Sequence, residues 1–255
     1  MGKFINRLGE IHISNEGYSM KITKYDGKMN CQVTFDDTRN TILSGLSYQH
    51  IKSGSIKNPF HPSVFGVGCI GIGKYKAHTG RKPNKNYEKW QSILERTNCP
   101  KYKEKFPTYK DVMVCDEWKC FQNFAKWHEE NWKPYMDNSW DLDKDIKVRG
   151  NKIYSPKTCS FVPKSINYVF VKKVIKNKQL PTGVVYNTRN NCFMVNISLE
   201  GKPKSFSPYI TLEEAFEKYK FEKEKYIKRL ADQWRDKIEP LVYQSMYNWK
   251  ILINE

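Results

Sequence analysis

Acidic residues are scarce in this chain: 27 Asp and Glu stand against 44 Lys and Arg in 255 residues, leaving a net charge of +17. That is far from the balance of an ordinary cytosolic enzyme and points to a polyanionic partner. Long apolar runs are missing as well. No stretch approaches the roughly 20 residues of a spanning helix, and Met1-Gly2-Lys3-Phe4 opens no signal peptide, so no membrane partner is expected and the cytoplasm is the expected compartment. The seven cysteines, Cys31, Cys69, Cys99, Cys115, Cys120, Cys159 and Cys192, include no C-x-x-C pair. Scattered and odd in number, they read as reduced thiols. Zinc is not expected on Cys99, Cys115, Cys120, His128 and Cys159, because the step from Cys115 to Cys120 does not place both on one helix face. Aromatics, by contrast, are plentiful at 14%. A disordered basic tail would lack them, so the chain reads as a folded basic protein with nucleic acid as its partner.

The pattern along the chain predicts an α+β protein in three parts. Residues 1–64 read as a small β module that could contact DNA: Tyr18 to Ile22 and Cys31 to Phe35 alternate with period two around Asp26-Gly27. Gly54 to Pro59 closes it. Residues 65–175 hold two aromatic helices and a hairpin. Tyr87, Trp90, Ile93 and Leu94 fall at helical spacing behind Asn86, and a second helix from Asp116 would bury Trp118, Phe121, Phe124 and Ala125 on its way to His128 and Trp132. Residues 176–255 read as three short strands, 183–186, 192–197 and 204–206, and a helix. Thr211-Leu212-Glu213-Glu214 is a capping box, and Leu212, Ala215, Phe216, Tyr219, Ile227, Leu230, Ala231 and Trp234 form an apolar stripe as far as Pro240. The lysines on the rest of that helix ordinarily mark a solvated face. Asn30 to Phe35 and Asn191 to Ile197 echo one another in type, and both ends read as small β-sheet DNA readers.

Gly66-Val67-Gly68-Cys69-Ile70-Gly71 satisfies G-x-G-x-x-G, and Gly68 to Lys74 satisfies most of G-x-x-x-x-G-K. Either fingerprint needs a buried strand before it and a helix directly after it, whereas His61-Pro62 precedes and Tyr75, Gly80 and Pro83 follow. No nucleotide cofactor is therefore expected. Gly66 to Lys85 reads instead as a flexible basic loop able to lie along a phosphate backbone.

The chemistry concentrates between Trp140 and Asn167. Asp141, Asp143 and Asp145 alternate with Leu142, Lys144 and Ile146, so an extended backbone would project all three carboxylates from one face, about 7 Å apart. Such repulsion calls for a divalent metal or a cluster of Lys and Arg. Arg149-Gly150-Asn151-Lys152 turns the chain, an apolar run ends at Phe161-Val162-Pro163, and Lys164-Ser165-Ile166-Asn167 begins a helix. A hairpin followed by a helix is the outline of a ββα-metal nuclease centre. A solvated surface hairpin with its charges on the wet side fits the same spacing, and Asp145-Ile146-Lys147 also matches the D-x-K element of a restriction-type centre.

Three sets of residues carry a resemblance: Tyr87-x-x-Trp90 with Glu95-Arg96; Val114-Cys115-x-x-Trp118-x-x-Phe121-x-x-Phe124; and Leu142-Asp143-Lys144-Asp145 with Gly150-Asn151-Lys152-x-Tyr154-Ser155-Pro156-x-x-Cys159-x-Phe161-Val162-Pro163. In these the chain resembles phage-type proteins of the HNH (His-Me finger) endonuclease class, often described as homing endonucleases, across roughly residues 66–170. The resemblance implies an HNH-like ββα core acting on double-stranded DNA in a bacterial host cell. It implies catalytic roles for Asp143, Lys144, Asp145 and Asn167, Mg²⁺ or Mn²⁺ on Asp141, Asp143 and Asp145, and DNA contacts from Arg149 and Lys152. The C-terminal part is similar to apetala-type DNA-binding domains in Gly183-Val184-x-Tyr186, the strand 192–197 and Thr211-x-Glu213-Glu214-Ala215-x-x-x-Tyr219, with Phe193 where Trp is usual and Ser207 where Gly is. Such domains lay a three-stranded sheet in the major groove, which would give Arg189, Asn190, Lys202 and Lys204 contacts to DNA.

One departure bears on the chemistry. The histidine that activates water in an HNH nuclease is replaced by Lys144, and an ordinary lysine, with a pKa of about 10.4, is protonated at pH 7 and cannot take that proton. The middle Asn of the pattern falls near Thr158, and only Asn167 matches the third position. Two functions follow: a metal-dependent DNA endonuclease in which Lys144 steadies the phosphate, or a non-catalytic DNA-binding protein, regulatory or architectural, on a nuclease scaffold. RNA binding is disfavoured, since neither a G-x-x-G clamp before a helix nor an aromatic ribonucleoprotein strand is present.

Overall fold

In the computed structural model, which describes residues 5–170 and 180–253, the chain is α+β. It divides into two compact units, Met1–Glu129 and Glu130–Glu255. That division falls inside the expected central part, 65–175, because the segment after the β module is tied back to it: Gly71 N–H donates to the Pro59 carbonyl at 2.8 Å.

The first unit opens with a four-stranded antiparallel sheet in sequence order, Ile11–Ile13, Ser19–Tyr25, Cys31–Phe35 and Ile42–Leu46. The two central strands are those the alternation predicts; the edge strands carry no such signal. Period-two alternation sends Met20, Ile22, Cys31, Val33 and Phe35 to one face, where they are buried with Tyr48 and Ile51 from the next segment. Gly27, at φ 99°, makes the turn between the central strands.

Helix Lys85–Asn98 follows, with Tyr87, Trp90, Ile93 and Leu94 buried as expected. It begins behind Asn84 rather than Asn86, and the Asn84 side chain bonds Thr79 Oγ1 and the Lys76 carbonyl instead of the helix. The second aromatic helix is broken. Asp116–Lys119 is a 3-10 turn, Cys120 is extended, and the α-helix runs from Phe121 to Asn131. The break lets Trp90 Nε1 donate to the Trp118 carbonyl at 2.6 Å, while the Trp90 and Phe121 rings pack at 5.5 Å.

In the second unit Trp140–Asp143 pairs antiparallel with Ser160–Pro163, and helix Lys164–Phe170 continues directly from the second strand. Farther on, Val184–Asn187, Cys192–Leu199 and Lys202–Tyr209 form an antiparallel sheet in sequence order, covered by helix Leu212–Trp234. The capping box closes in both directions: Glu214 N–H donates to Thr211 Oγ1 and Thr211 N–H to Glu214 Oε2, each at 3.2 Å. Ala215, Phe216 and Tyr219 pack on Val184, Val195 and Ile197. Gly183, at φ +81°, meets the Tyr219 ring so closely that a Cβ would fall 2.1 Å from it. Pro240 does more than end the stripe, since it sits at the first turn of a further helix, Pro240–Tyr247.

Candidate active site and nucleic-acid surfaces

The hairpin corner departs from the expected row of three carboxylates. The strand stops at Asp143, whose Oδ1 accepts the backbone N–H of Asp145 at 2.8 Å and of Ile146 at 2.7 Å. Those bonds fold the backbone into a turn and carry Asp145 off the strand face. Burial raises the Asp143 carboxyl above the ordinary aspartate value, and the two amide bonds only partly oppose it. Asp145 instead accepts from Lys144 Nζ at 2.5 Å, and the same ammonium reaches the Asn151 carbonyl at 3.2 Å. The Lys144 side chain is only 11% exposed. Lys147 is bound to Glu239 at 3.1 Å, so the D-x-K element is not assembled.

What the fold does bring together is Asp141 and Asn167. Asp141 lies opposite Val162 in the hairpin, and Asn167 on the following helix places Nδ2 3.5 Å from Asp141 Oδ2. Asp141 and Asp143, two residues apart on one strand, share a face, and both amide bonds at Asp143 fall on Oδ1. Among the described residues no three His, Cys, Asp or Glu side chains cluster as metal ligands. With Asp145 turned off the strand face and bonded to Lys144, the three aspartates do not form one closed site. A hard cation held by one or two carboxylates and an amide oxygen, with water and phosphate oxygens completing its shell, does fit these donors.

Asn151 is the residue that the sequence reading undervalued. Its Nδ2 donates to the Lys144 and Ile153 carbonyls at 2.9 and 2.7 Å, so its side chain holds the turn shut. An Asn directly after Gly150 was the available signal. Thr158, at the middle position of the nuclease pattern, bonds Ser155 and the Ile153 carbonyl and serves the backbone. Arg149 donates to the Lys250 carbonyl at 2.8 Å and lies over the Trp249 ring, a structural engagement, while Lys152 is exposed.

In the C-terminal sheet, Arg189 and Asn190 are exposed at a hairpin tip, where both backbone N–H groups donate to Asn187 Oδ1. The register places Lys204 opposite Ile197 and Lys202 opposite Leu199. Paired residues share a face, so both lysines belong to the rows that cover the helix rather than to the open face. Being on the edge strand, both remain exposed. On the covering helix Lys218 is paired with Glu222, Lys220 with Glu217 and Arg229 with Glu200.

The N-terminal sheet presents a different surface. Ile11, Lys21, Thr34 and Ile42 form one row across all four strands of its open face. Beside them Thr23 Oγ1 accepts from Gln32 Nε2 at 3.1 Å and from Thr34 Oγ1 at 3.3 Å, and Ser44 Oγ donates to Gln32 Oε1 at 3.1 Å. The glycine-rich segment is packed rather than free. A Cβ at Gly68 would lie 2.2 Å from Leu94 Cδ1, and Gln122 Nε2 bonds the Ile70 and Tyr75 carbonyls, so Gly66 to Tyr75 is fastened to the helices and is not the loose loop expected.

No protein family, curated protein or solved structure matches the chain. No described helix is long and apolar enough to cross a membrane.

Proposed function

We propose that this chain is a DNA endonuclease dependent on Mg²⁺ or Mn²⁺. The observation that carries the reading is the strand, strand and helix of residues 140–170, in which Asn167 on the helix faces Asp141 on the first strand, within a chain of net charge +17. Asp141, Asp143 and Asn167 would hold the ion. When bound, the ion would polarise the scissile phosphate and lower the pKa of a coordinated water, a route to a nucleophile that needs no histidine. Lys144 positions an arriving phosphate, which competes with Asp145 for its ammonium. Asn151 fixes the turn on which Lys144 sits.

Two surfaces, one in each unit, suit duplex DNA. Arg189 and Asn190 at the C-terminal hairpin tip offer donors to phosphate and base edges. The Gln32, Thr34 and Lys21 face offers amide, hydroxyl and ammonium groups flanked by Ile11 and Ile42, a mixture suited to base edges and thymine methyls.

A second reading, a non-catalytic DNA-binding protein on the same scaffold, draws support from the structural duties of the corner: Asp143 caps a turn and Lys144 is paired. The test is supercoiled plasmid incubated with the purified protein and Mg²⁺ or Mn²⁺. Nicked or linear product that EDTA prevents supports the endonuclease; retention on DNA with intact plasmid favours the second reading.

A further inference from the structure

Outside the ββα corner, the chain brings two thiols together. Cys69 and Cys120 face one another in an isolated parallel bridge, fixed on both sides by backbone bonds: Cys69 N–H donates to the Lys119 carbonyl and Phe121 N–H to the Cys69 carbonyl, each at 2.9 Å. Backbones so paired lie about 4.8 Å apart, within the Cα separation of roughly 4.4–6.8 Å that a disulfide spans. Both cysteines are free and partly exposed, and their side chains are hydrogen-bonded to each other.

Their surroundings are unequal. Cys120 stands at the entry to helix Phe121–Asn131, where the backbone N–H groups of Gln122 and Asn123 reach its sulfur, and the Arg39 guanidinium adds positive potential. Amides of the second and third helical positions are the donors that an N-cap side chain ordinarily satisfies. The Cys69 hydrogen bond is the largest influence, and with those amides it lowers the Cys120 thiol below its ordinary value. Cys69 is displaced upward, first by donating to Cys120 and then by burial. Gly71 keeps the space beside Cys120 open, since a Cβ there would fall 2.5 Å from Sγ. The break between Lys119 and Phe121 creates this arrangement, because a continuous helix would have consumed those amides.

We propose that Cys69 and Cys120 are an oxidisable thiol pair, with Cys120 the nucleophile toward a hydroperoxide and Cys69 the resolving thiol that closes an intramolecular disulfide. In the first step the Cys120 thiolate attacks one peroxide oxygen, the O–O bond breaks, and hydroxide leaves and takes up the proton of the former thiol. This gives a sulfenic acid and water. In the second step the Cys69 sulfur attacks the Cys120 sulfur, the S–S bond forms and the S–O bond breaks, and the hydroxide leaving Cys120 takes the Cys69 proton. Two thiols are oxidised by two electrons, and one hydrogen peroxide is reduced to two waters. The bond ties the glycine-rich segment to the start of the helix. This site is independent of the nuclease reading.

The experiment treats the full-length protein with hydrogen peroxide, blocks the remaining thiols with an alkylating agent and maps the peptides by mass spectrometry. The expected product is a linked Cys69 and Cys120 peptide pair, lighter by two hydrogens and restored by dithiothreitol. It should form about tenfold faster than Cys99 or Cys115 oxidises, these being partly exposed references within the same chain. Cys69→Ser should leave a sulfenic acid on Cys120 that dimedone traps, and Cys120→Ser should leave Cys69 reduced. Recovery of Cys69 and Cys120 as free thiols at a peroxide dose that oxidises Cys99 or Cys115 overturns the proposal. So does linkage of Cys120 to a different cysteine. The wild-type map decides the matter even if a serine variant fails to fold.

Discussion

Asn167 Nδ2 on the helix lies 3.5 Å from Asp141 Oδ2 on the strand, a contact between residues 26 positions apart that exists because the helix leaves the second strand without a loop. The amide and the carboxylate thereby meet at the hairpin corner, with Asp143 on the same strand face as Asp141. The endonuclease proposal rests on this corner rather than on a row of three aspartates.

Asp143 should behave as a half-buried turn cap. Asp143→Ala leaves the Asp145 and Ile146 amides without their acceptor and is expected to cost about 1–3 kcal/mol. Asp143→Asn keeps an acceptor and removes the charge. Because burial raises the folded carboxyl, this group favours the fold below the unfolded pKa of about 3.9, and that contribution is lost as pH rises through the folded value. Asp143→Asn should thus be relatively more favourable at pH 7 than at pH 3. Denaturant titrations of both variants at the two pH values check this, and a neutral Asp143→Ala would return the residue to a solvated surface.

His128 gives a pH dependence of the opposite sense. Burial, with the Lys89 charge adding to it, lowers its pKa to about 4. Below pH 6.5 the unfolded chain takes up a proton that the folded imidazole refuses, so stability present above that pH is lost as the pH falls toward 4. At about 1.4 kcal/mol per unit the loss is about 3 kcal/mol. His128→Gln should flatten that part of the stability profile, and an unchanged slope would exclude His128 as its source.

At Gly183 the expected effect is steric. Ala there meets both a left-handed backbone, φ +81°, and the Tyr219 ring, and should destabilise the second unit by about 2 kcal/mol or more. Thermal unfolding of the full chain reads the effect, which an equally stable Gly183→Ala would contradict.

Sequence made legible what periodicity and local chemistry control. The alternation at Met20 to Ile22 and Cys31 to Phe35, the capping box at Thr211 and the stripe from Ala215 to Ala231 all stand in the structure, because each depends on neighbours within a few residues. The ββα outline was visible for the same reason. The fate of the aspartates was not, since alternation assumes a continuing strand and the Asp143 carboxylate ends it by capturing two amides. Nor was the meeting of Cys69 with Cys120, which depends on a bridge between segments 51 residues apart and on a helix break at Cys120. Gly68 and Gly71 fit a phosphate-loop pattern by spacing, yet they serve close packing against Leu94 and Cys120.

DNA affinity should be dominated by phosphate contacts. If about six phosphates are engaged, log K should fall with log[salt] at a slope near −5. Arg189→Ala should weaken binding without unfolding the protein, as its side chain is exposed at the hairpin tip. Filter binding at stepped salt measures both effects. A slope shallower than about −2 would reject a phosphate-dominated interface.

The most direct test measures cleavage and binding together for wild type, Asp141→Asn and Asn167→Ala on the same supercoiled DNA with Mg²⁺. The account predicts EDTA-sensitive nicking or linearisation by the wild type and a loss of at least about a hundredfold in each variant, with DNA affinity retained or slightly higher in Asp141→Asn because a negative charge facing phosphate has gone. Cleavage by both variants at the wild-type rate, or intact plasmid with the wild type under the same conditions, would contradict it.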